Sequence, residues 1–300
     1  MKYENKTYGE ERALYGIRDS KVIGCRFDGE EDGESALKEC RNIEVEDCYF
    51  NLRYPLWHVD DANIRGVEMT EKCRAALWYD SDVRITDSKL HGIKALRECD
   101  GVTLVGCDIN SEEFGWRCRN VYIDSCELNS QYPFFECKGM EVDGLKMTGK
   151  YSFQYIENST FRNCEFKTKD AFWHAKNVTV YDSIISGEYL AWYSENLKLV
   201  RCKISGTQPL CYCKGLVLED CEMEGTDLSF ERSEVCASVK GNIVSVKNPI
   251  SGYINADSIG EIILNEEAGI ASRCKINVFQ ADFEIKNAKD IDIVSEKVYK

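Results

Sequence analysis

One alternation of apolar and polar residues recurs along the chain every 19 positions. Two adjacent copies show it: KNVTVYDSIISGEYLAWYS (176–194) and ENLKLVRCKISGTQPLCYC (195–213). With Lys176 and Glu195 as position 1, other copies begin at Arg41, Asp60, Ser81, Asp100, Arg119, Lys138, Glu157 and Lys214. The copy at Asp60 has two extra residues, and a looser first copy runs from Arg18 to Cys40, which makes eleven. Position 5 is apolar throughout, from Val22 and Val45 to Leu199 and Leu218. So is position 10, from Phe27 and Phe50 to Ile204 and Met223. Position 8 is small or apolar, most often Cys. Positions 3 and 5 alternate with polar 4 and 6, and a charged 9 separates 8 from 10. A period of two belongs to strands with one face in and one face out.

The bends between strands are also written in the repeat. Position 2 is Asn, Asp or Gly, as in Asn42, Asp61, Asp82, Asn177 and Gly215. Position 7 is Gly, Asp, Ser or Asn in ten of the eleven copies. These residues enter the left-handed region at low cost. Each copy therefore predicts three short strands, at about 2–6, 8–10 and 15–18, with a turn of about four residues at 11–14. A repeat this short, without helical period, is one coil of a β-solenoid. Each strand pairs with its copy one coil away at about 4.8 Å, so eleven coils stack to roughly 50 Å. The expected fold is all-β: a single-stranded, right-handed parallel β-helix with three strands per 19-residue coil. The handedness follows the rule for parallel crossovers.

One coil cannot bury its own apolar face, so residues 1–300 are expected to form a single domain. Residues 18–232 hold the regular coils. Residues 1–17 begin polar and contain no apolar run long enough for a signal peptide or membrane span. They are expected to cap the open first coil, since an uncovered strand edge invites pairing with another chain. The insertion DGEEDGE (28–34) reads as a solvated acidic turn whose spacing does not match a calcium loop. Residues 233–300 keep short strands (242–247, 261–264, 281–286, 290–295) at less regular spacing, which predicts larger coils and a C-terminal cap.

The net charge of −14 argues against nucleic acid or an anionic membrane as partner. Position 9 alternates in sign along the stack, as in Glu127, Lys146 and Glu165, which is cross-strand pairing on a solvent face. Most of the sixteen cysteines fall at positions 8 and 19. A buried thiol is a compact apolar filler, and stacked coils need the same shape at every level. The reading is a ladder of reduced thiols in a cytoplasmic protein. Cys211-x-Cys213 belongs to the same ladder, and no pair of CxxC motifs makes a zinc site.

The segment YGEERAL near the N-terminus, followed by the 19-residue coils, resembles a bacterial family of uncharacterised proteins. That family is predicted to adopt the right-handed parallel β-helix of the pectin-lyase-like superfamily. The superfamily contains polysaccharide lyases and glycoside hydrolases, so the resemblance implies acidic polysaccharide as a substrate class. Fold does not fix function. The chain lacks the Asn-Thr-Asp, Gly-His-Gly and Arg-Ile-Lys motifs of such enzymes, and its turns are short.

Four sets of residues carry candidate chemistry. The first is an aromatic stripe at position 17: Trp57, Trp78, Trp116, Phe135, Trp173, Trp192 and Phe230, interrupted by Lys38, Arg97, Gln154 and Cys211. Position 16 is steadily apolar and should point inward, so alternation points 17 outward. Arg97 would then lie between Trp78 and Trp116 as a cation–π stack. Exposed aromatics can stack on sugar rings or contact another protein; the competing reading is core. The second set is acidic: Asp60, Asp61, Asp80 and Asp82, with His58 beside them. Asp61 and Asp82 share position 2 on neighbouring coils, about 5 Å apart. Paired carboxylates suit calcium or acid–base work, yet Asp at position 2 is also an ordinary corner residue. The third is Glu98 and Glu136 at position 18, where the intervening Arg117 makes an ion-pair ladder the plainer reading. The histidines come last: His58 and His174 share position 18 but lie about 29 Å apart by coil spacing, and His91 is in a turn. No Ser/His/Asp or Cys/His spacing supports nucleophilic catalysis.

These signals rank the function classes. The first is a non-catalytic scaffold that binds carbohydrate or protein through the aromatic stripe. The alternative is a lyase-like or glycosidase-like enzyme centred on Asp60–Asp82, without cofactor or with calcium. A homo-oligomer joined through the stripe is the third.

Overall fold

The computed structural model of the chain describes residues 1–30, 33–265, 272–279, 284–286 and 293–295. The protein is an all-β parallel β-solenoid of about 14 turns. Contacts divide it into two compact units, Met1–Lys150 and Tyr151–Lys300.

In the first unit, strands Arg18–Ile23, Arg41–Glu46, Asp60–Arg65, Ser81–Thr86, Asp100–Val105, Arg119–Asp124 and Lys138–Asp143 pair in parallel, each with the next. Each position pairs with the same position of the next coil, as in Val83↔Val102 for position 3 and Ile85↔Leu104 for position 5. Short strands at positions 9 and 10 form a second ladder, for example Lys89–Leu90 with Asp108–Ile109. The register follows from burial. A slip of one residue would turn Ile85 and Leu104 to solvent and bring Thr86 and Val105 inward. The second unit repeats the plan with Glu157–Arg162, Lys176–Tyr181 and Glu195–Val200.

The core is the set of columns that the repeat predicts. Val22, Val45, Ile64 and Ile85 at position 5 are fully buried, as are Phe27, Phe50 and Leu90 at position 10. Phe27 and Phe50 stack at 4.7 Å between centroids, which is the coil spacing expressed by two rings. The corners also hold. Position 2 is left-handed at Asn42 (φ 49°), Asn120 (51°) and Asn196 (54°), and position 7 at Asp47 (50°), Ser125 (52°) and Asp182 (48°). At Gly101 (φ 72°) a Cβ would meet the Asp82 carboxylate at 2.6 Å, so glycine there makes room for the corner below.

The third side of the coil differs from the predicted strand. In the first unit it is a two-residue strand, as in Leu56–Trp57, Leu77–Trp78 and Leu96–Arg97. In the second unit the equivalent stretches are turns. Left-handed residues stand at both position 16 (Phe153, Phe172, Ala191, Leu210) and position 18 (Tyr155, His174, Tyr193, Tyr212). Such a backbone no longer alternates its side chains as a strand does.

Residues 1–17 lie on the first coil by forming a turn of the solenoid themselves. Lys2–Glu4 pairs with Lys21–Ile23, and Thr7–Tyr8 with Arg26–Phe27. Tyr3 and Tyr8 take the core columns, opposite Val22 and Phe27, and Tyr8 stacks on Phe27 at 5.3 Å. A tyrosine covers the core with its ring and keeps its hydroxyl within reach of water. Lys2, Glu4 and Lys6 charge this edge against further pairing. After Arg232 the turns are both shorter and longer than 19. Leu228 meets Ser245 17 residues on, and Asn255 meets Asn277 22 residues on. The strands predicted around 242–247 and 261–264 are parts of longer ones, Glu234–Lys247 and Ser251–Ile263. Residues 281–283 and 290–292 of the last two predicted strands lie outside the described residues, as do Glu31 and Asp32 of the acidic insertion.

All sixteen cysteines are free thiols, fifteen of them buried and Cys236 half-buried. Burial pushes Cys40 up to about 11 and Cys48 and Cys73 up to about 12, so these thiols stay protonated. Two outcomes are expected. A thiol reagent added to native protein modifies Cys236 first, and reaches all sixteen only after guanidinium unfolding; fast reaction at several sites in the native state would contradict the buried ladder. Phe50→Ala, which empties a filled column, lowers the unfolding free energy by about 3–5 kcal/mol in a urea titration.

Candidate functional site

The position-17 residues are half-buried: Trp57, Trp78, Arg97, Trp116, Phe135, Trp173 and Trp192 are neither core nor exposed. Cys211 and Phe230, at the end of the stripe, are fully buried. The indole N–H groups explain the arrangement. Trp57 Nε1 donates to the Ala75 carbonyl at 2.7 Å and Trp78 to Lys94 at 2.9 Å. Trp116 donates to Tyr132, Trp173 to Tyr189 and Trp192 to Gln208, at 2.6, 2.6 and 2.8 Å. Each indole thus ties down the next coil by donating to one of its main-chain carbonyls at or beside the turn. Gln154 makes the same bond with its amide, Nε2 to Asp170 O at 3.2 Å, which accounts for a Gln among tryptophans.

Neighbouring rings of this column lie face to face. Trp57 and Trp78 stack at 5.3 Å and 3° between planes, and Trp173 and Trp192 at 5.4 Å and 3°. Arg97 sits between Trp78 and Trp116, its guanidinium 5.2 and 5.0 Å from the ring centres. Glu98 and Glu113 flank that guanidinium, each at 3.7 Å. Faces that stack on one another are not free for a sugar ring; the edges face outward.

The exposed rings stand one residue on, at position 18, which the alternation rule would turn inward. In the second unit Tyr155, His174, Tyr193 and Tyr212 form one continuous stack, with centroids 4.8, 5.1 and 4.8 Å apart and planes within 13°. Tyr155 is 45% exposed and Tyr193 43%. Trp192 packs edge-on against Tyr212 at 5.4 Å, so the indole column buttresses the ladder. In the first unit the same position carries His58 stacked on Tyr79 at 5.0 Å, then Glu98, Arg117 and Glu136. Arg117 bonds Glu136 at 2.7 Å and reaches Glu98 at 3.7 Å, the ion-pair ladder expected there. The signal for the exposed stack was a column of Tyr and His at one position, with the left-handed backbone unforeseen.

The acidic set does not converge. Asp60 is tied to Arg41 at 3.0 Å and accepts the Ser81 hydroxyl at 2.8 Å. Asp61 (φ 57°) and Asp82 (φ 52°) are exposed corner residues. Asp80 points the other way and is 2% exposed. It fills the interior column that Cys99, Cys118 and Cys137 continue. Its Oδ1 accepts the Val59 N–H at 2.8 Å, and its backbone N–H donates to Cys99 Sγ at 3.4 Å. Its Oδ2 has no hydrogen-bond partner among the described residues. Burial first, then the Cys99 thiol, holds this carboxyl well above the usual range. Among the described residues no group of three His, Cys, Asp or Glu is placed to hold a metal.

Other proteins share parts of this description. The family profile described as "Protein of unknown function (DUF3737)" matches residues 1–277. No curated protein matches the chain. Among solved structures, the A-module of the mannuronan C-5 epimerase AlgE6 of Azotobacter vinelandii is 10% identical. The match covers 99% of this chain and 89% of that one, with a TM-score of 0.39. The tailspike protein gp49 of Pseudomonas phage LKA1 is 11% identical over 90% of this chain and 46% of its own, with a TM-score of 0.31. No helix among the described residues is long and apolar enough to cross a membrane.

Asp80 yields a test with a definite sign. Its folded value is raised, so its contribution to stability is full below the unfolded value, near pH 4, and is lost as pH rises through the folded value. Serine fills the same kind of column elsewhere: Ser233 Oγ accepts the Cys213 N–H at 2.9 Å and donates to Leu210 O at 2.7 Å. Asp80→Ser is therefore expected to stabilise the protein by about 1–3 kcal/mol at pH 7, with the gain shrinking toward pH 4. Equal melting curves for the two proteins at neutral pH would refute a buried, half-satisfied Asp80 with a raised pKa.

Proposed function

The chain belongs to the DUF3737 family of unknown function, and we propose that this protein is a non-catalytic binding scaffold whose contact surface is the position-18 ring ladder. The observation that carries the reading is the continuous stack Tyr155–His174–Tyr193–Tyr212, in which Tyr155 and Tyr193 are exposed and His174 and Tyr212 half-buried. Tyrosines are enriched at protein contacts because they offer large, stiff, amphipathic area at small entropic cost. Stacking fixes the rings before binding, so little side-chain freedom remains to be lost. The ring faces inside the stack are occupied by neighbouring rings. That geometry suits the flat surface of a protein better than a sugar, which stacks on an open ring face. The position-17 indoles support the ladder from behind.

The test compares wild type with Tyr193→Ser/Tyr212→Ser, after confirming that the two melt alike. Affinity capture from the producing cells should retain a defined protein on wild type and lose it on the variant. Tryptophan fluorescence, to which Trp192 beside the ladder contributes, is titrated in parallel with neutral and uronic-acid oligosaccharides. Saturable quenching by a sugar, abolished in the variant, would replace the protein partner with a carbohydrate. Equal retention by both proteins would remove the ladder as the contact surface.

A further inference from the structure

The ring ladder of the second unit has a charged column beside it. Two residues on from each ring, across the buried position 19, stands position 1: Glu157 after Tyr155, Lys176 after His174, Glu195 after Tyr193 and Lys214 after Tyr212. The backbone register sets them one coil apart, as Glu157↔Lys176, Lys176↔Glu195 and Glu195↔Lys214. Lys176 and Lys214 are exposed, Glu157 and Glu195 half-buried. Lys176 reaches Glu195 at 3.4 Å, a pair still largely open to water. Along the solenoid axis the column therefore reads acid, base, acid, base.

This face carries no other full charge. It is formed by the stretches 152–159, 171–178, 190–197 and 209–216, all within the described residues. Each stretch holds a single Asp, Glu, Lys or Arg, and in each it is the position-1 residue; His174 is the one further basic side chain. Two lysines and two glutamates cancel, so the face is neutral in a chain of net charge −14. Copies of so acidic a protein repel one another over most approaches, and a neutral face lets them meet without adding to that repulsion. Beyond Tyr212 the next coil brings Glu231, whose carboxylate Lys247 engages at 3.1 Å.

The order of charges is self-complementary under one symmetry operation. A two-fold axis lying in the face, perpendicular to the solenoid axis, keeps each column opposite itself and reverses the order of coils. With that axis between the coils of His174 and Tyr193, Lys176 meets Glu195 of the second copy and Glu157 meets its Lys214. His174 then meets Tyr193, and Tyr155 meets Tyr212. Every charge contact joins opposite signs. Parallel copies with each coil opposite its own equivalent would set glutamate on glutamate and lysine on lysine. We propose that the partner of the ring ladder is a second copy of this chain, packed antiparallel about this two-fold. The inference rests on the ladder being a contact surface and names what it contacts. Four coils span only about 14 Å, so the dimer is expected to be reversible, with a Kd on the order of tens of micromolar.

Sedimentation equilibrium of the full chain across the micromolar range tests this. Wild type should show a monomer–dimer equilibrium that weakens as salt rises. Lys176→Glu and Glu195→Lys, each confirmed to melt close to wild type, should dimerise at least about tenfold more weakly, because each sets like charges opposite one another beside the axis. An equimolar mixture of the two variants should recover the wild-type affinity. The pair within each chain is still broken in that mixture, so recovery reports a contact between chains. Single variants that dimerise as tightly as wild type, or a mixture no tighter than either variant alone, would overturn the proposal. A dimer unaffected by Tyr193→Ser/Tyr212→Ser would place the contact away from the ladder and overturn it as well. Wild type that stays monomeric would overturn it too, and if capture from cells still depended on the ladder, the scaffold reading would stand with a different protein as its occupant.

Discussion

Parallel stacking in register makes every coil answer to its neighbours. The backbone ladder repeats at one spacing, so each side chain meets the same position of the coils above and below. A residue is tolerated when it stacks on its own kind or on something of the same shape. Phenylalanine on phenylalanine, asparagine on asparagine and thiol beside thiol are all instances. Asn177 donates to Asn158 at 3.1 Å and Asn196 to Asn177 at 3.0 Å, so the corners carry their own column of side-chain bonds. Surface charge follows the same logic more weakly, as in Lys146–Glu127 at 3.9 Å and Lys203–Glu222 at 3.1 Å. Such exposed pairs add little energy individually.

The tryptophans show how a column acquires a structural duty. A coil must turn at positions 11–14. An indole lying along the outside of the wall donates to a main-chain carbonyl at or beside that turn. The cost of leaving that carbonyl unpaired, and not ligand contact, is sufficient reason for a bulky donor at position 17. The same placement leaves the next position to face outward, and in the second unit that position carries rings. Support and surface are thus adjacent residues of one turn.

Much of this was legible in the sequence. Columns 5, 8 and 10 are read without a structure because apolar identity recurs at one number, and Asn, Asp and Gly announce positions 2 and 7. What was not legible depends on backbone conformation. The inference that 17 faces outward assumes extended residues on both sides, and Phe172 and His174 are left-handed on both sides of Trp173. Asp80 seemed to belong with Asp61 and Asp82 by proximity along the chain. Its position number, shared with Cys99 and Cys118, assigns it to the interior instead. Tyr3 and Tyr8 lie 19 residues before Val22 and Phe27, so the first turn was present in the pattern, hidden by the change from aliphatic to phenolic side chains.

The in-register columns also set the natural grain of change in such a chain. Removing one residue from a coil moves every later column off its partner. Removing the whole of 176–194 instead lets Glu195 follow Ala175 much as Lys176 does, with Asn, Leu and Ile arriving where Asn, Val and Ile had been. Length in this architecture is therefore quantised, and a gene that gains or loses material in whole turns varies its product while each remaining coil still meets a familiar neighbour.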